Sequence, residues 1–146
     1  MGYVHNDIKP ENILLDQENR QRSFLIDFGL VSKFVNPEGN HRQERKRDFF
    51  TGNVYYASQN QIKCKTRSRR DDIQSVLHMF ISFLHNDTLP WHDAGKNVSD
   101  LLDDRVKNEA KYAERLNEMT PPPVRALFKQ VWEMKFSEKP DYDRLI

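Results

Sequence analysis

The chain has 146 residues, which is enough for one domain with a hydrophobic core and too few for two domains of ordinary size. Its 23 Lys and Arg residues are balanced by 22 Asp and Glu residues, which argues against a protein dedicated to nucleic acid or to an anionic membrane surface. A single cysteine, Cys64, excludes an intramolecular disulfide and a zinc cluster built from cysteines. With no signal-peptide pattern and no apolar stretch long enough to span a bilayer, we expect a monomeric protein of the cytoplasm or the nucleus.

Two short apolar runs near the N-terminus, residues 13–15 and 24–26, are separated by a polar stretch. Short apolar runs bounded by turn residues predict paired β-strands. From residue 30 to residue 51 no helical or strand period is present, and charges crowd residues 41–48. This stretch is predicted to be a long loop, and long loops inside compact domains are usually functional.

A helix is predicted to follow Asp71 and Asp72, because an acidic pair suits a helix N-terminus. Its apolar residues recur at helical spacing, and we expect most of this helix to be buried as the central pillar of the fold. The predicted inner stripe consists of Ile73, Val76, Leu77, Phe80, Ile81 and Leu84.

The C-terminal third is also predicted to be helical. Residues 97–118 read as one amphipathic, highly charged helix. A further helix is predicted to start at Pro121 with Thr120 as its N-cap, and only six residues follow the break at Pro140. The predicted inner face of that helix comprises Val124, Leu127, Phe128, Val131 and Trp132.

The chemistry of the chain is concentrated around the predicted hairpin. Asn12 precedes the first predicted strand, and Asp27 follows the second. In an antiparallel pair both residues emerge at the same end, where an amide oxygen and a carboxylate are suitable ligands for Mg²⁺. Asp7 can serve there as a base for a hydroxyl group, and Lys9 can neutralise a transferring phosphoryl group. Gly29 is predicted to permit a sharp backbone turn beyond Asp27.

The pattern D-x-K-x-x-N at residues 7–12, followed by D-F-G at residues 27–29, resembles the catalytic loop and metal motif of eukaryotic protein kinases. The resemblance implies that Asp7 is the catalytic aspartate and Lys9 the catalytic-loop lysine. It implies that Asn12 and Asp27 are the Mg²⁺ ligands and that ATP is the phosphoryl donor. It also implies that His5 packs inside the lobe and that Asp72 braces the catalytic loop.

Four downstream segments look like the casein kinase I group: residues 51–58, 68–72, 89–91 and 139–142. The resemblance implies an α+β, mainly α-helical fold, namely the C-terminal lobe of the kinase fold with a short β-hairpin at the catalytic site. Residues 1–146 would then be a partial kinase domain without the N-terminal lobe. The implied activation segment and substrate groove contain Gly29, Thr51, Gly52, Tyr55 and Tyr56.

The sequence departs from the family pattern at four positions. Asn6 replaces the arginine before the catalytic aspartate, so the usual cationic pocket for a phosphorylated activation loop should be lost. Asn53 replaces a threonine that bridges the catalytic Asp and Lys, and an asparagine can still form such a bridge. Tyr55 and Asp48 replace two cations that help to bind pre-phosphorylated substrates in the family. The predicted enzyme therefore needs no activation-loop phosphorylation and prefers unprimed, acidic substrates.

A basic cluster lies between the activation segment and the central helix, at Lys63, Lys65, Arg67, Arg69 and Arg70. It predicts either a patch for an anionic partner or an ordinary solvated face.

These features indicate a casein kinase I-like serine/threonine protein kinase that transfers the γ-phosphoryl group of ATP, with Mg²⁺, to protein hydroxyls. Its partners would be protein substrates of acidic character, without nucleic acid or membrane. The alternative is a non-catalytic, truncated kinase-like lobe that acts as a protein-interaction module.

Overall fold

The computed structural model of the protein describes residues 2–19, 21–92 and 97–145. The described strands are β1 (Tyr3–Val4), β2 (Ile13–Leu15), β3 (Ser23–Leu25) and β4 (Ser32–Lys33). The described α-helices are α1 (Gln59–Ile62), α2 (Arg69–Leu84), α3 (Val98–Lys107), α4 (Glu109–Met119), α5 (Arg125–Glu133) and α6 (Tyr142–Leu145). Short 3₁₀ turns precede β2 and α5, at Pro10–Asn12 and Pro122–Val124. The chain is thus rich in α-helix with short antiparallel strands, as predicted.

The predicted hairpin is confirmed. Strands β2 and β3 pair antiparallel with Ile13 opposite Leu25, so the second strand begins one residue earlier than the apolar run suggested. Beyond the ladder, the backbone N–H of Ile26 donates to the carbonyl oxygen of Asn12 at 2.9 Å. This bond joins the two ends of the hairpin that carry the predicted metal ligands.

The pairing of β1 with β4 was not predicted. Tyr3 lies opposite Lys33, so the start of the loop after the hairpin is bonded to the segment before the catalytic loop. Each strand has only two residues, which is too short for a periodic signal. The rest of the predicted loop is irregular, apart from isolated bridges that pair Val35 with His41 and Lys46 with Lys65.

Helix α2 forms as predicted, with a capping box between Ser68 and Asp71 at its N-terminus. The predicted buried face is wrong, because the exposed residues of α2 include several members of the expected apolar stripe. Its buried positions include polar side chains that bond to carbonyl groups of other segments, as His78 does to Tyr56. The exposed apolar residues are Val76, Phe80, Phe83 and Leu84.

The C-terminal helices differ in three details from the predicted arrangement. Helix α5 begins at Arg125, after a 3₁₀ turn, and not at Pro121. The expected helix over residues 97–118 is divided into α3 and α4 at Asn108. Thr120 does not cap α5. Its hydroxyl donates to the carbonyl of Leu116 at 2.7 Å, and so it closes the end of α4. The inner face of α5 is confirmed at Phe128 and Val131, which are buried.

The hydrophobic core lies between α2, the helices α3 to α5, and the irregular segment that leads into α1. None of the described helices is both long and apolar enough to cross a membrane. Because Val54, Tyr56 and Ala57 belong to the core, the implied substrate groove is built directly on it. The buried apolar cluster comprises Val54, Tyr56, Ala57, Ile62, Met79, Ile81, Leu89, Trp91, Leu101, Leu116 and Phe128.

Candidate active site

The segment before the catalytic loop is fixed to the N-terminus of α2. The carboxylate of Asp72 accepts the backbone N–H groups of His5 at 2.6 Å and of Asn6 at 2.8 Å. The His5 ring contacts the carbonyl of Ile26 through Nε2 at 3.1 Å and packs edge-on against Phe28. His5 and Asp72 therefore hold the loop, and the hairpin end beside it, in one position.

The side chains of Asp7, Lys9 and Asn12 converge. The Asp7 Oδ2 atom lies 2.8 Å from Lys9 Nζ and 3.2 Å from Asn12 Nδ2. The same amide nitrogen donates to the carbonyl of Asp7 at 2.8 Å. Asp7 and Asn12 are buried, and the hydrogen bond to Asp7 raises the pKa of the Lys9 ammonium group. A carboxylate is thus held next to a cation that remains protonated.

Asp27 has a left-handed backbone conformation, with φ of 61°, and an exposed side chain. The predicted role of Gly29 needs correction, because the left-handed residue of this turn is Asp27 and not the glycine. The Gly29 N–H donates to Asp27 Oδ1 at 3.2 Å, and a Cβ at Gly29 would lie at the same distance from that oxygen. The glycine therefore allows the chain to approach the carboxylate closely.

The residues at the hairpin end fit a hard divalent cation. The amide nitrogen of Asn12 is bonded to Asp7, so the Oδ1 atom of Asn12 remains available for a cation. Asp27 supplies an exposed carboxylate and directly follows Ile26, whose N–H is bonded to the Asn12 carbonyl. Amide and carboxylate oxygens are the donor types that Mg²⁺ prefers. The described residues contain no cluster of three or more His, Cys, Asp or Glu side chains, so a denser metal site is not seen there.

The activation segment is attached to the catalytic loop at Gly52. This residue has φ of 102°, and a Cβ there would lie 2.8 Å from the Asn6 carbonyl and 3.5 Å from Asp7 Oδ1. The Gln61 side chain donates to the carbonyls of Asn6 at 2.9 Å and Thr51 at 3.0 Å. The two loops are consequently joined by one amide group, a contact that the sequence analysis did not identify.

The predicted bridge from Asn53 to Asp7 and Lys9 is not formed. Asn53 Oδ1 instead accepts the backbone N–H groups of Tyr55 at 2.8 Å and Tyr56 at 3.2 Å. An asparagine at the start of a turn often bonds to the backbone two residues later, and this local bond competes with the longer reach to the catalytic loop. Asn53 thus shapes the groove segment that follows it.

The predicted anion patch at Lys63, Lys65, Arg69 and Arg70 is largely neutralised by other bonds. Lys63 pairs with Glu109, while Lys65 and Arg70 contact Glu44 at 3.8 and 2.6 Å. Arg69 donates to the carbonyl of Ser137 at 2.8 Å. These four side chains serve mainly to attach α1 and α2 to their neighbours.

A different set of cations surrounds Asn6. A cavity of about 540 Å³ is lined by backbone and polar groups near Asn6, Ser32, Thr51 and Thr66, and no carboxylate lines it. None of its cations forms an ion pair with a carboxylate in the part of the chain that the structure describes. We call this cavity the basic cavity. The cations that line it are Lys33, Arg42, Arg45, Lys46, Arg47 and Arg67.

Arg67 is the buried member of the basic cavity. Its guanidinium donates to both the carbonyl and the hydroxyl of Thr51, with 2.6 Å to the carbonyl oxygen. Burial, together with the nearby charge of Arg47, lowers the pKa of Arg67 to about 10. The loss of the usual phosphate pocket at Asn6 stays a prediction, and cations from other sequence positions line the cavity beside that residue.

Comparison with known proteins agrees with this geometry. The chain matches the protein kinase domain family over residues 1–145, and it therefore belongs to that family. Casein kinase 1-like protein HD16 of Oryza sativa subsp. japonica is 38% identical over 151 residues, which cover 99% of this chain and 21% of that protein. A probable casein kinase I homolog of Encephalitozoon cuniculi is 31% identical over 146 residues, which cover 97% of the chain and 45% of the homolog.

A probable serine/threonine-protein kinase of fowlpox virus is 34% identical over 149 residues, which cover 99% of this chain and 49% of the viral protein. At the level of the family, these similarities support a serine/threonine kinase of the casein kinase I type. The chain spans between about a fifth and about half of the length of these relatives.

Proposed function

We propose that this chain provides the phosphoryl-transfer half of a casein kinase I-like serine/threonine kinase, which transfers the γ-phosphoryl group of ATP to protein hydroxyls. The observation that supports this proposal best is the shared Asp7 carboxylate, which contacts both Lys9 and Asn12 within hydrogen-bond distance. A second carboxylate, Asp27, directly follows Ile26, whose N–H is bonded to the Asn12 carbonyl, and such a constellation is suited to phosphoryl transfer.

In the proposed reaction, the oxygen of a substrate serine or threonine attacks the γ-phosphorus atom, and the bond from that phosphorus to the ADP oxygen breaks. The Asp7 carboxylate orients the hydroxyl and accepts its proton. Lys9 stabilises the negative charge of the transferring group. Asn12 and Asp27 would hold Mg²⁺, which when bound neutralises charge on the phosphates.

Transfer of labelled phosphate from ATP to an acidic serine peptide tests the proposal. The assay requires a fusion in which the nucleotide-binding lobe of a casein kinase I relative precedes residue 2. We expect transfer with the natural residue at position 7 and none with Asp7→Asn. Transfer at equal rates by both proteins would contradict the proposed role of Asp7.

The chain also carries exposed apolar side chains that suit packing against further protein. On the outer faces of the hairpin, Leu14 and Leu15 are 51% and 67% exposed, and Phe24 is 45% exposed. Contiguous exposed apolar surface of this kind marks interaction sites. We propose that an N-terminal lobe covers the hairpin in a complete kinase domain, with residues 1–146 as its C-terminal part.

The same exposure predicts weak nucleotide binding by the 146-residue chain alone. Small-molecule sites normally enclose about 70–90% of their ligand, whereas the exposed side chains of Leu14, Leu15 and Phe24 leave the hairpin open to solvent. We expect calorimetry with Mg-ATP to give a dissociation constant of about 1 mM or weaker. A micromolar constant would show that these residues form a complete nucleotide site.

The proposed function also predicts a preference for acidic substrates, and we assign it to the basic cavity. The double variant Arg45→Gln with Arg47→Gln should raise the KM for an acidic peptide roughly tenfold. This corresponds to a loss of about 0.7 kcal/mol of binding free energy for each partly screened charge. Salt should reduce the preference, because attraction between accessible charges is screened over about 10 Å at 0.1 M.

Lys107→Gln combined with Lys111→Gln provides the matched control, because these exposed lysines lie on α3 and α4 and do not line the basic cavity. It removes the same charge and should leave the KM unchanged. Equal effects of the two double variants would contradict the assignment. A peptide pair that differs by one phosphoserine three residues before the target will show whether the cavity also favours primed substrates.

The alternative function is a non-catalytic interaction module, which the exposed apolar hairpin also favours. The two functions differ in the fusion assay described above, since only the kinase requires Asp7. Localisation in the cytoplasm or nucleus and a monomeric state are parts of the proposal that cell imaging and sedimentation can test.

A further inference from the structure

Four consecutive carbonyl groups in the substrate-groove segment are bonded by buried side chains from distant parts of the chain. Arg105 Nη1 donates to the Val54 carbonyl at 2.5 Å, and Arg105 Nη2 donates to the Ala57 carbonyl at 2.9 Å. Between them, Trp91 Nε1 donates to the carbonyl of Tyr55 at 2.8 Å. The ring of His78 meets the carbonyl of Tyr56 through Nδ1 at 3.1 Å.

The three donor side chains also pack on one another. The Arg105 guanidinium lies over the Trp91 ring at 3.8 Å, and the rings of Trp91 and His78 contact edge-on at 5.1 Å. Their relative exposures are 1%, 2% and 0%. A cation over an indole face is attracted by the ring, and this attraction strengthens when water is excluded.

The protonation states fit this bonding pattern. Burial lowers the pKa of His78 to about 3, so the ring is neutral and must carry its proton on Nδ1 to donate to a carbonyl. Burial lowers the pKa of Arg105 to about 9, and the guanidinium remains charged at neutral pH. Because Arg105 has no carboxylate partner among the described residues, its charge is stabilised by carbonyl dipoles and by Trp91.

The N–H groups of the same segment are bonded locally. Tyr55 and Tyr56 donate to Asn53 Oδ1, and the Ala57 N–H donates to the Asn53 carbonyl at 3.0 Å. The segment is buried at Val54, Tyr56 and Ala57, so water cannot satisfy its backbone groups and protein groups must bond to them. The segment is therefore held on both its N–H side and its carbonyl side.

We infer that His78, Trp91 and Arg105, here called the carbonyl clamp, are positioning residues that fix the substrate-groove segment relative to Asp7. The segment reaches the catalytic loop through Gly52, so a shift at residues 54–57 changes where a bound peptide presents its hydroxyl. This inference rests on the proposed kinase function. Displacement of reacting groups by about 1 Å is known to lower enzymatic rates strongly.

Trp91→Phe tests the clamp with a small change, because it removes the indole N–H and retains an aromatic ring. Trp132→Phe is the matched control, because Trp132 also contacts the His78 ring edge-on, at 6.0 Å, and stacks on Phe128, but donates no hydrogen bond to the groove segment. In the 146-residue chain, amide hydrogen exchange at Tyr56 and Ala57 should become at least tenfold faster with Trp91→Phe. It should change less than twofold with Trp132→Phe. Similar exchange in the two variants would overturn the clamp.

Arg105 allows a graded test of the same idea. Arg105→Lys retains the charge and can reach one carbonyl, whereas Arg105→Met has no donor. Exchange at Tyr56 and Ala57 should therefore increase in the order natural protein, Lys variant, Met variant. If Arg105→Met does not fold, Arg105→Lys and Trp91→Phe still test the clamp. The inference would be overturned if neither variant increased the rate of amide hydrogen exchange at Tyr56 and Ala57.

The kinetic consequence is tested in the fusion protein that carries a nucleotide-binding lobe. Trp91→Phe should raise the KM for the peptide at least fivefold and leave the KM for ATP within twofold, a split that a general loss of folding would not produce. Equal changes in both constants would overturn the positioning role. Absence of peptide phosphorylation by the natural sequence would contradict the proposed kinase function instead, while the exchange experiment would still decide on the clamp.

Discussion

Replacement of Asp27 by Asn should abolish phosphoryl transfer in the fusion protein and leave the fold intact. The substitution removes a carboxylate that would bind Mg²⁺ and keeps a side chain of the same size. Loss of charge at such a position misplaces the phosphate and removes transition-state stabilisation, and we expect a reduction in kcat of about a thousandfold or more.

Asn is also the appropriate substitution for the backbone. Asp27 has φ of 61°, and asparagine adopts this left-handed conformation as readily as aspartate does. Circular dichroism and thermal unfolding should therefore match those of the natural protein. Glu18, an exposed acidic residue in the hairpin turn, provides a control as Glu18→Gln, which should retain full activity. Substantial transfer by Asp27→Asn with unchanged dependence on Mg²⁺ would remove Asp27 from the site.

The second large effect is expected from Asp72→Ala, on stability. This substitution leaves the buried N–H groups of His5 and Asn6 without their acceptor. Hydrogen bonds to a charged group contribute about 1.5–3 kcal/mol each, so the free energy of unfolding should fall by about 3 kcal/mol or more. Urea unfolding of the 146-residue chain, followed by circular dichroism, measures the change. Asp103→Ala, on the exposed side of α3, should be nearly neutral.

The effect of Asp72→Ala should also depend on pH. Burial raises the pKa of Asp72 above the ordinary value of 3.8, so the folded protein binds this proton more readily than the unfolded chain does. The stabilisation from the raised pKa is fully present below pH 3.8 and is lost as the pH rises through the folded-state pKa. The difference in stability between the natural protein and Asp72→Ala should therefore narrow from pH 4 towards pH 7, which parallel urea titrations can measure. A gap that widens over this range would contradict the raised pKa.

Local features of this protein were predictable because their signals lie close together in the sequence. The hairpin followed from two apolar runs, and the proximity of Asn12 to Asp27 followed from the antiparallel pairing alone. Helix α2 was also predictable from its period. Its buried face was not, because the helix places His78 inside to bond a loop carbonyl while Phe80 stays exposed.

Other parts of the site depend on contacts between distant residues, and no sequence spacing indicates them. Arg105 reaches Val54 across 51 positions, and Arg70 reaches Glu44 across 26. The basic run around Lys63 was predicted as one patch, but Lys63, Lys65 and Arg70 are paired with glutamates elsewhere in the chain. Meanwhile the basic cavity combines cations of the loop over residues 30–51 with Arg67, which lies after the groove segment and meets them only in the folded chain.

The Gln61 side chain has a mechanical consequence for the whole site. One amide nitrogen serves the Asn6 carbonyl of the catalytic loop and the Thr51 carbonyl of the activation segment. A rotation of that side chain would break both of its bonds at once, although the Thr51 carbonyl would keep its bond from Arg67. Under the proposed kinase function, a peptide bound beside Thr51 would therefore act on the catalytic loop, and so on Asp7, through this one amide group.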